Sequence, residues 1–148
     1  MQQYVVGAGG LGRETLDAAM AAGLAVAGFL DEGRAGERVR SLAVVDPTAA
    51  PPSAGYVIGI ADPSVRRRLA TELDGRGLRP FTLVHPRAVV APETTLAPGC
   101  LILAQAHVSS SVTVGAHSQV QYNATVGHDA VIGQRVTVLP GANVSGAA

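Results

Sequence analysis

The segment VTVGAHSQVQYNATVGHDAVIGQRVTVL, residues 112–139, repeats one pattern every six residues. A branched aliphatic residue opens each six-residue unit, and a small or β-branched residue follows four positions later. The pattern extends in both directions and places an aliphatic residue at Val90, Leu96, Ile102, Val108, Val114, Val120, Val126, Ile132, Val138 and Val144. A hexad repeat is typical of a parallel β-helix, in which each hexad forms one face and three hexads complete a triangular coil. We therefore predict stacked coils with the aliphatic residues inside and with Gly115, Gly127 and Gly133 in the tight turns.

The charged residues divide the chain into two parts. Basic and acidic side chains crowd the part before residue 93, whereas the hexads beyond it carry almost none. The segment RPFTLVHPRA, residues 79–88, contains two prolines and connects the two parts. We predict a small α/β domain over residues 1–82 and a β-helix domain over residues 83–148.

Composition excludes several classes of protein. The formal net charge is zero, with 11 basic and 11 acidic residues, so no basic surface is expected for nucleic acid or an anionic membrane. A single cysteine excludes an internal disulfide and favours a reducing compartment. No signal-peptide pattern opens the sequence, and no apolar run is long enough to span a bilayer. We therefore expect a cytoplasmic protein that binds neither nucleic acid nor a membrane.

The first domain alternates strand and helix patterns, which predicts a parallel sheet covered on both faces, in a Rossmann-like arrangement. Strands are predicted at QYVV, AVAGFLD, SLAVV, YVIGI and RPFTLV. One helix is predicted at GRETLDAAMAAG, with Gly23 as its C-cap. The second is predicted at DPSVRRRLATEL, with Asp62 as N-cap and Pro63 at the first helical position. The arginines at 66–68 are expected on a solvated helix face, and a phosphate contact from one of them is the alternative.

The stretch VVGAGGLG matches the G-x-G-x-x-G pattern through Gly7, Gly9 and Gly12, after a strand and before a helix. Glycines let backbone N–H groups approach a phosphate, and the helix N-terminus adds a partial positive charge. Asp31 ends the second predicted strand, where an acceptor for a ribose hydroxyl would lie. The domain is about half as long as a full dinucleotide domain, so a single nucleotide, such as that of a nucleotide-sugar, fits better than NAD. An NAD-linked function and a tight turn without a ligand remain alternatives.

Three parts of the chain together resemble one family: GAGGLGRETLDA with GFLDE, then LVHPRAVVAPETTLAPGC, then NATVGHDAVIG. The chain resembles the bacterial sugar O-acyltransferases of the sialic acid O-acetyltransferase type, which include N-acetyltransferases of UDP- or GDP-linked amino sugars. The resemblance implies a left-handed β-helix, a homotrimer, acetyl-CoA bound between neighbouring helices, and a nucleotide-sugar on the α/β domain. It implies acetyl transfer to a sugar amine, with O-acetylation as an alternative. A non-catalytic nucleotide-sugar binding module is the competing hypothesis.

The resemblance assigns roles in the β-helix. His128 is the general base, and Asp129 is the acid beside it. Gly146 follows His128 by one full coil, so it should stack on His128 at the spacing of neighbouring strands, about 4.8 Å. The resemblance gives the Gly146 N–H the role of donor to the thioester oxyanion. Thr137 stands where many members have a second histidine near acetyl-CoA, and Asn123 is assigned a substrate contact.

The resemblance also assigns substrate contacts in the α/β domain, to Gly7, Gly9, Gly10, Leu11, Gly12 and Asp31. Leu11 stands where many members have a histidine. Family members continue for several coils beyond the point that corresponds to residue 148, so we expect this chain to be a shortened relative.

Two other interpretations concern the histidines. A histidine and an aspartate at a corner of a β-helix can simply be solvated. A three-histidine zinc site would use His107, His117 and His128, of which His117 is expected at a corner like His128. Their spacings of ten and eleven residues do not match the 18 that stacking on one face needs, so we predict no metal.

Overall fold

The structure is a computed structural model that describes all 148 residues. It divides into two compact units, Met1–Phe81 and Thr82–Ala148, a division one residue before the boundary expected from the sequence. Neither α-helix has the length and apolar character needed to cross a membrane.

The first unit is built on a six-stranded sheet in the order β3-β4-β2-β1-β5-β6. All neighbouring strands are parallel except β3 and β4, which pair antiparallel. The strands are β1 (Gln3–Val6), β2 (Gly28–Leu30), β3 (Arg38–Val39), β4 (Leu42–Val45), β5 (Gly55–Ile58) and β6 (Arg79–Pro80). The helices are α1 (Gly10–Ala21) and α2 (Pro63–Gly75), with short 3-10 turns at Glu32–Arg34 and Pro47–Ala49. The predicted α/β class is confirmed, and β3 is an element that the sequence did not predict.

The cap of α2 follows the sequence prediction. The side chain of Asp62 accepts hydrogen bonds from the backbone N–H groups of Ser64 (2.8 Å) and Val65 (3.2 Å), and Pro63 begins the helix. The Ser64 hydroxyl also donates to this carboxylate, and together these donors hold the pKa of Asp62 below its ordinary value. Helix α2 therefore starts at a fixed place relative to the end of β5.

The arginine run in α2 departs from the prediction. Arg67 and Arg68 are exposed, but Arg66 is fully buried. Its Nη1 donates to the backbone carbonyls of Ile60 (3.0 Å) and Ala61 (2.8 Å), which lie in the loop between β5 and α2. A buried guanidinium requires such acceptors, so the prediction of a solvated face was wrong for this residue.

The second unit is a parallel β-helix of two-residue strands on three faces. The first face holds β7 (Leu83–Val84), β10 (Leu101–Ile102), β13 (Gln119–Val120) and β16 (Thr137–Val138). The second holds β8 (Val89–Val90), β11 (His107–Val108), β14 (Thr125–Val126) and β17 (Asn143–Val144). The third holds β9 (Thr95–Leu96), β12 (Thr113–Val114) and β15 (Val131–Ile132). Paired residues are 18 apart in the chain, as in Val108 and Val126, which confirms three hexads per coil.

The β-helix begins one hexad earlier than the pattern counted from Val90. The stretch RPFTLV, predicted as a single last strand of the α/β domain, is divided in the structure. Arg79–Pro80 pairs with β5, whereas Leu83–Val84 pairs with Leu101–Ile102 and opens the first coil. Pro80 has no N–H to donate, which an edge strand such as β6 tolerates. The first coil needs a strand of only two residues, so this short segment can contribute to both units.

The interior of the β-helix is the predicted aliphatic stack. Ile102, Val108 and Val114 have no exposed surface, and their equivalents in later coils join the same cluster. Polar residues among the small inward positions donate hydrogen bonds to carbonyl oxygens 15 residues later: Thr94 to Ser109 (2.7 Å), Cys100 to Gly115 (3.3 Å) and Ser118 to Gly133 (2.7 Å). These bonds let small polar side chains occupy an apolar interior, because each buried donor has an acceptor.

The turns are made differently from the prediction. In the nine hexads from Leu96 onward, the fourth residue has a left-handed backbone, and only two of the nine are glycine: Gly99, Gln105, Ser111, His117, Asn123, Asp129, Arg135, Gly141 and Ala147. Gly115 and Gly127 serve close packing between coils instead. A β-carbon at Gly115 would lie 2.5 Å from the carbonyl oxygen of Gly133, one coil later.

Truncating the inner stack should destabilise the β-helix. We expect Ile102→Ala to lower the free energy of unfolding by about 2–5 kcal/mol, since it leaves a cavity in a close-packed interior. The exposed Thr113→Ala on a neighbouring face is the control and should change it by about 0.5 kcal/mol or less. Urea denaturation followed by circular dichroism measures both. Equal losses in the two variants would contradict the assigned inward direction of Ile102.

Candidate active site

His128 and Asp129 form the turn between β14 and β15, at the corner where the second face meets the third. Their side chains are 68% and 62% exposed, so both are available to a ligand. The neighbouring coils hold this turn from both sides. The Asp129 N–H donates to the Ser110 carbonyl (3.0 Å), and the Ala147 N–H donates to the His128 carbonyl (2.7 Å).

The two side chains of this corner are hydrogen-bonded to each other. Nδ1 of His128 lies 2.8 Å from Oδ2 of Asp129. In the neutral imidazole, a proton on Nδ1 donated to the carboxylate leaves the lone pair on Nε2. Asp129 adopts a left-handed backbone with φ 61°, which an aspartate tolerates better than most residues. The corner therefore presents a basic nitrogen whose ring orientation is fixed by the next residue in the chain.

Gly146 lies directly against the His128 ring, as the one-coil spacing predicted. A β-carbon at Gly146 would be 2.7 Å from Nε2 and 3.0 Å from two ring carbons, so the ring position requires glycine here. The amide N–H of Gly146 has no hydrogen-bond acceptor within the chain. Gly127 assists this approach, because a β-carbon at Gly127 would collide with the Gly146 amide. The residue that lies against Nε2 of His128 therefore carries an unused N–H donor.

The other two predicted β-helix residues lie elsewhere. Asn123 forms the preceding corner, between β13 and β14, so a whole strand separates it from His128. Thr137 belongs to β16 on the first face and is half-buried. Within one chain the structure joins His128, Asp129 and Gly146 and leaves Asn123 and Thr137 apart from them.

The remaining histidines do not form a cluster. His107 lies on β11 of the second face and is exposed. His117 forms the third corner, between β12 and β13, as predicted, but it is only 8% exposed, whereas the His128 side chain is 68% exposed. Its ring packs beneath Gly99, where a β-carbon would collide with it. No three His, Cys, Asp or Glu side chains come together anywhere in the chain.

In the first unit, the glycine loop connects β1 to α1. Packing explains why some of its positions are glycine but not others. Gly7 has φ 93°, and a β-carbon at Gly12 would collide with the Gly7 carbonyl, so both are required by the close strand-to-helix turn. Gly9 has an ordinary φ of −83° and no atom within 4 Å of a β-carbon position. Gly9 and Gly10 are exposed. The packing of the domain therefore does not explain these two glycines, and a ligand can reach their backbone.

Asp31 secures the glycine loop. Its carboxylate accepts from the backbone N–H of Ala8 (3.0 Å) and of Gly33 (3.1 Å), while Arg34 Nη1 donates to the Ala8 carbonyl (2.6 Å). The sequence predicted a contact to ribose and did not anticipate these backbone partners. A carboxylate has about four acceptor positions, so Asp31 retains capacity for a hydroxyl group.

A cavity of about 560 Å³ opens at the carboxyl ends of the strands, between the loops that follow β1, β2, β4 and β5. Parallel α/β sheets bind ligands at this edge. Gly7 and Asp31 line the cavity, whereas Gly9, Gly10, Leu11 and Gly12 do not. Sequence reasoning missed the contributions of Glu32 and Glu72. The available signals were the position of Glu32 directly after Asp31 and the spacing of Glu72 one helical turn after Arg68.

Comparisons with known proteins agree with this architecture. The family model described as the PglD N-terminal domain matches residues 3–73. A curated relative, GDP-perosamine N-acetyltransferase of Escherichia coli O157:H7, is 30% identical over 122 residues, which are 80% of this chain and 55% of that protein. The chain thus spans little more than half the length of this relative. The chain is therefore similar to GDP-perosamine N-acetyltransferase, and its first unit is similar to the PglD N-terminal domain.

Two solved structures share the fold. One is a histidine-to-asparagine mutant of perosamine N-acetyltransferase from Caulobacter crescentus, in complex with CoA and GDP-perosamine. It has a TM-score of 0.91 and 21% identity over 99% of this chain and 72% of that chain. The other is WeeI from Acinetobacter baumannii AYE, with a TM-score of 0.89 and 24% identity over 98% of this chain and 72% of that chain. The fold match confirms a small α/β domain followed by a left-handed β-helix.

A methyl group at residue 146 should displace the side chain of His128. We expect Gly146→Ala to displace the His128 ring and break its hydrogen bond to Asp129, because the new carbon would approach Nε2 to 2.7 Å. Imidazole ¹⁵N and ¹³C chemical shifts measure this displacement. The control is Gly133→Ala, whose β-carbon meets nothing closer than 3.9 Å and should leave the signals in place. Unchanged His128 signals in Gly146→Ala would contradict the stacking.

Proposed function

We propose that the protein transfers an acetyl group from acetyl-CoA to the amine of a UDP- or GDP-linked amino sugar. The observation that carries the proposal is the corner where Nε2 of His128, oriented by Asp129, lies against Gly146, whose N–H is unused. Acyl transfer from a thioester requires a base and an oxyanion donor that can reach the same carbonyl group. The curated relative, whose name is GDP-perosamine N-acetyltransferase, supports the same reaction.

In the proposed reaction, the sugar amine attacks the carbonyl carbon of the acetyl thioester and gives one proton to Nε2 of His128. Asp129 accepts the Nδ1–H bond and stabilises the imidazolium that forms. The Gly146 N–H donates to the carbonyl oxygen as its negative charge develops. The C–S bond then breaks, and the CoA thiolate leaves and takes the proton from His128. The products are an amide and CoA.

The α/β unit holds the nucleotide in this proposal. The backbone of Gly9 and Gly10 is open to a diphosphate at the start of α1, where the helix N-terminus favours negative charge. The ribose and base then enter the cavity lined by Gly7 and Asp31, which lies within the usual range for ligand sites of about 300–1,000 Å³.

Assembly and location complete the proposal. We assign the chain to a homotrimer, in which neighbouring β-helices bind acetyl-CoA between them. Exposed apolar side chains on the β-helix support an association, among them Val89 (52%), Val131 (70%) and Leu139 (56%). A cytoplasmic location goes with acetyl-CoA and nucleotide-sugars as substrates.

Removing the base should remove the reaction. We expect His128→Ala to lower kcat for acetyl transfer by about 10²–10⁴-fold, because no other group accepts the amine proton. Release of the CoA thiol from acetyl-CoA, in the presence of UDP- and GDP-linked amino sugars, measures the rate. His107→Ala removes an exposed histidine of strand β11 and should leave the rate unchanged. Turnover of His128→Ala at the unmodified rate would refute the base assignment.

A side chain at position 9 of the glycine loop should weaken nucleotide binding without changing the stability of the protein. We expect Gly9→Ala to lower the affinity for the nucleotide-sugar at least about 10-fold, since a methyl group hinders close approach of the phosphates to the backbone. Thermal unfolding should be unchanged, because no atom lies within 4 Å of the new carbon. Calorimetric titration measures the affinity. Undiminished binding by Gly9→Ala would place the phosphates away from this loop.

A further inference from the structure

The cavity of the α/β unit contains two opposite charges that are not paired. Glu32 follows Asp31 at the end of β2, and Arg68 lies in α2. No hydrogen bond or ion pair within the chain engages either side chain, and the two do not pair with each other. The other charged residues of the cavity have partners: Asp31 accepts from two backbone N–H groups, and Glu72 lies 3.8 Å from Arg76. An acceptor and a donor of the same cavity are therefore available to a ligand.

The walls of the cavity beside these charges are apolar. Ile60, Val65 and Leu69 contribute aliphatic side chains from the β5–α2 loop and from α2, and Pro47 contributes a ring from the loop after β4. Such walls fit the flat faces of an aromatic ring, while polar groups at its edge fix its identity. Because Arg68 is on the same helix as Val65 and Leu69, its guanidinium can reach the edge of a ring that lies against them.

Guanine is the base whose edges match a carboxylate and a guanidinium at once. Its N1–H and N2–H groups are adjacent donors, which a carboxylate accepts in two parallel hydrogen bonds. Its O6 and N7 are adjacent acceptors, which an arginine contacts in the same bidentate manner. Uracil offers one N–H between two carbonyls, and adenine has no pair of adjacent N–H donors on separate ring positions.

We infer that this cavity reads guanine, with Glu32 accepting from N1–H and N2–H and Arg68 donating to O6 and N7. The inference rests on the proposed nucleotide-sugar function and narrows it from UDP or GDP to GDP. The glycine loop and the two side chains border one site, since Gly7, Glu32 and Arg68 line the same cavity. Glu32 and Arg68 are thus the specificity-determining residues of the nucleotide site.

Calorimetric titrations of the full chain with GDP, IDP and UDP test the inference. IDP is GDP without the N2 amine, so it cannot form one of the two hydrogen bonds to the Glu32 carboxylate. The unmodified protein should bind GDP about 10- to 100-fold more tightly than IDP, and UDP more weakly than GDP. Glu32→Gln should reduce the ratio of GDP to IDP affinity to about one, because its amide replaces one acceptor oxygen with an NH2 donor that cannot pair with the second N–H of guanine.

Arg68→Met should give a different pattern. It should weaken GDP and IDP by the same factor of about 10 and preserve their ratio, since both bases have O6 and N7. Arg67→Met is the matched control: it removes the same charge from the next position of α2, which is exposed and outside the cavity lining, and should alter neither affinity.

The outcomes separate this inference from the broader function. Equal binding of GDP and IDP by the unmodified protein, UDP binding as tight as GDP, or an unchanged GDP-to-IDP ratio in Glu32→Gln would each overturn the guanine assignment. In those cases the proposed acetyl transfer to a nucleotide-sugar would stand. Failure of all three nucleotides to bind would overturn the nucleotide function and the guanine assignment together.

Discussion

The proposed chemistry depends on the backbone ladder between successive coils of the β-helix. Parallel hydrogen bonds fix each residue beside the one 18 positions later, as in Val108 and Val126. That register places Gly146 on the ring of His128, and the ladder bonds of Asp129 and Ala147 hold the turn on both sides. A slip of one residue would put a side chain where the imidazole lies and would turn the aliphatic stack outward. The same pattern that buries the core therefore also assembles the site.

The proposed function assigns different tasks to the two units. In the β-helix, the exposed corner has a base, its orienting carboxylate and a free amide, all held by backbone bonds. In the α/β unit, the glycine loop is anchored by Asp31 and Arg34, and Arg66 fixes the loop that carries Ile60. A rigid frame leaves Glu32 and Arg68 as charged groups of the cavity without internal partners. In the proposed function, recognition of the nucleotide and transfer of the acetyl group can thus be altered by separate substitutions.

The sequence predicted what depends on periodicity. The hexads predicted the strands, the inner aliphatic stack and the contact of His128 with Gly146, because a parallel ladder makes spacing in the chain equivalent to position in space. Burial of polar residues was not predictable in this way, since it depends on neighbours distant in the chain. His117 and Arg66 are buried for that reason, the first beneath Gly99 and the second among backbone carbonyls. The left-handed turn residues are mostly not glycine, so the positions of the glycines in the sequence did not locate the turns.

A crystal structure of the chain with CoA and a nucleotide-linked amino sugar would test the central claim most directly. The account predicts that the sugar nitrogen lies within hydrogen-bond distance of Nε2 of His128. It also predicts that the Gly146 N–H points to the position of the thioester oxygen, next to the CoA sulfur. An amino group bound away from this corner, or a CoA sulfur that Gly146 does not approach, would contradict it.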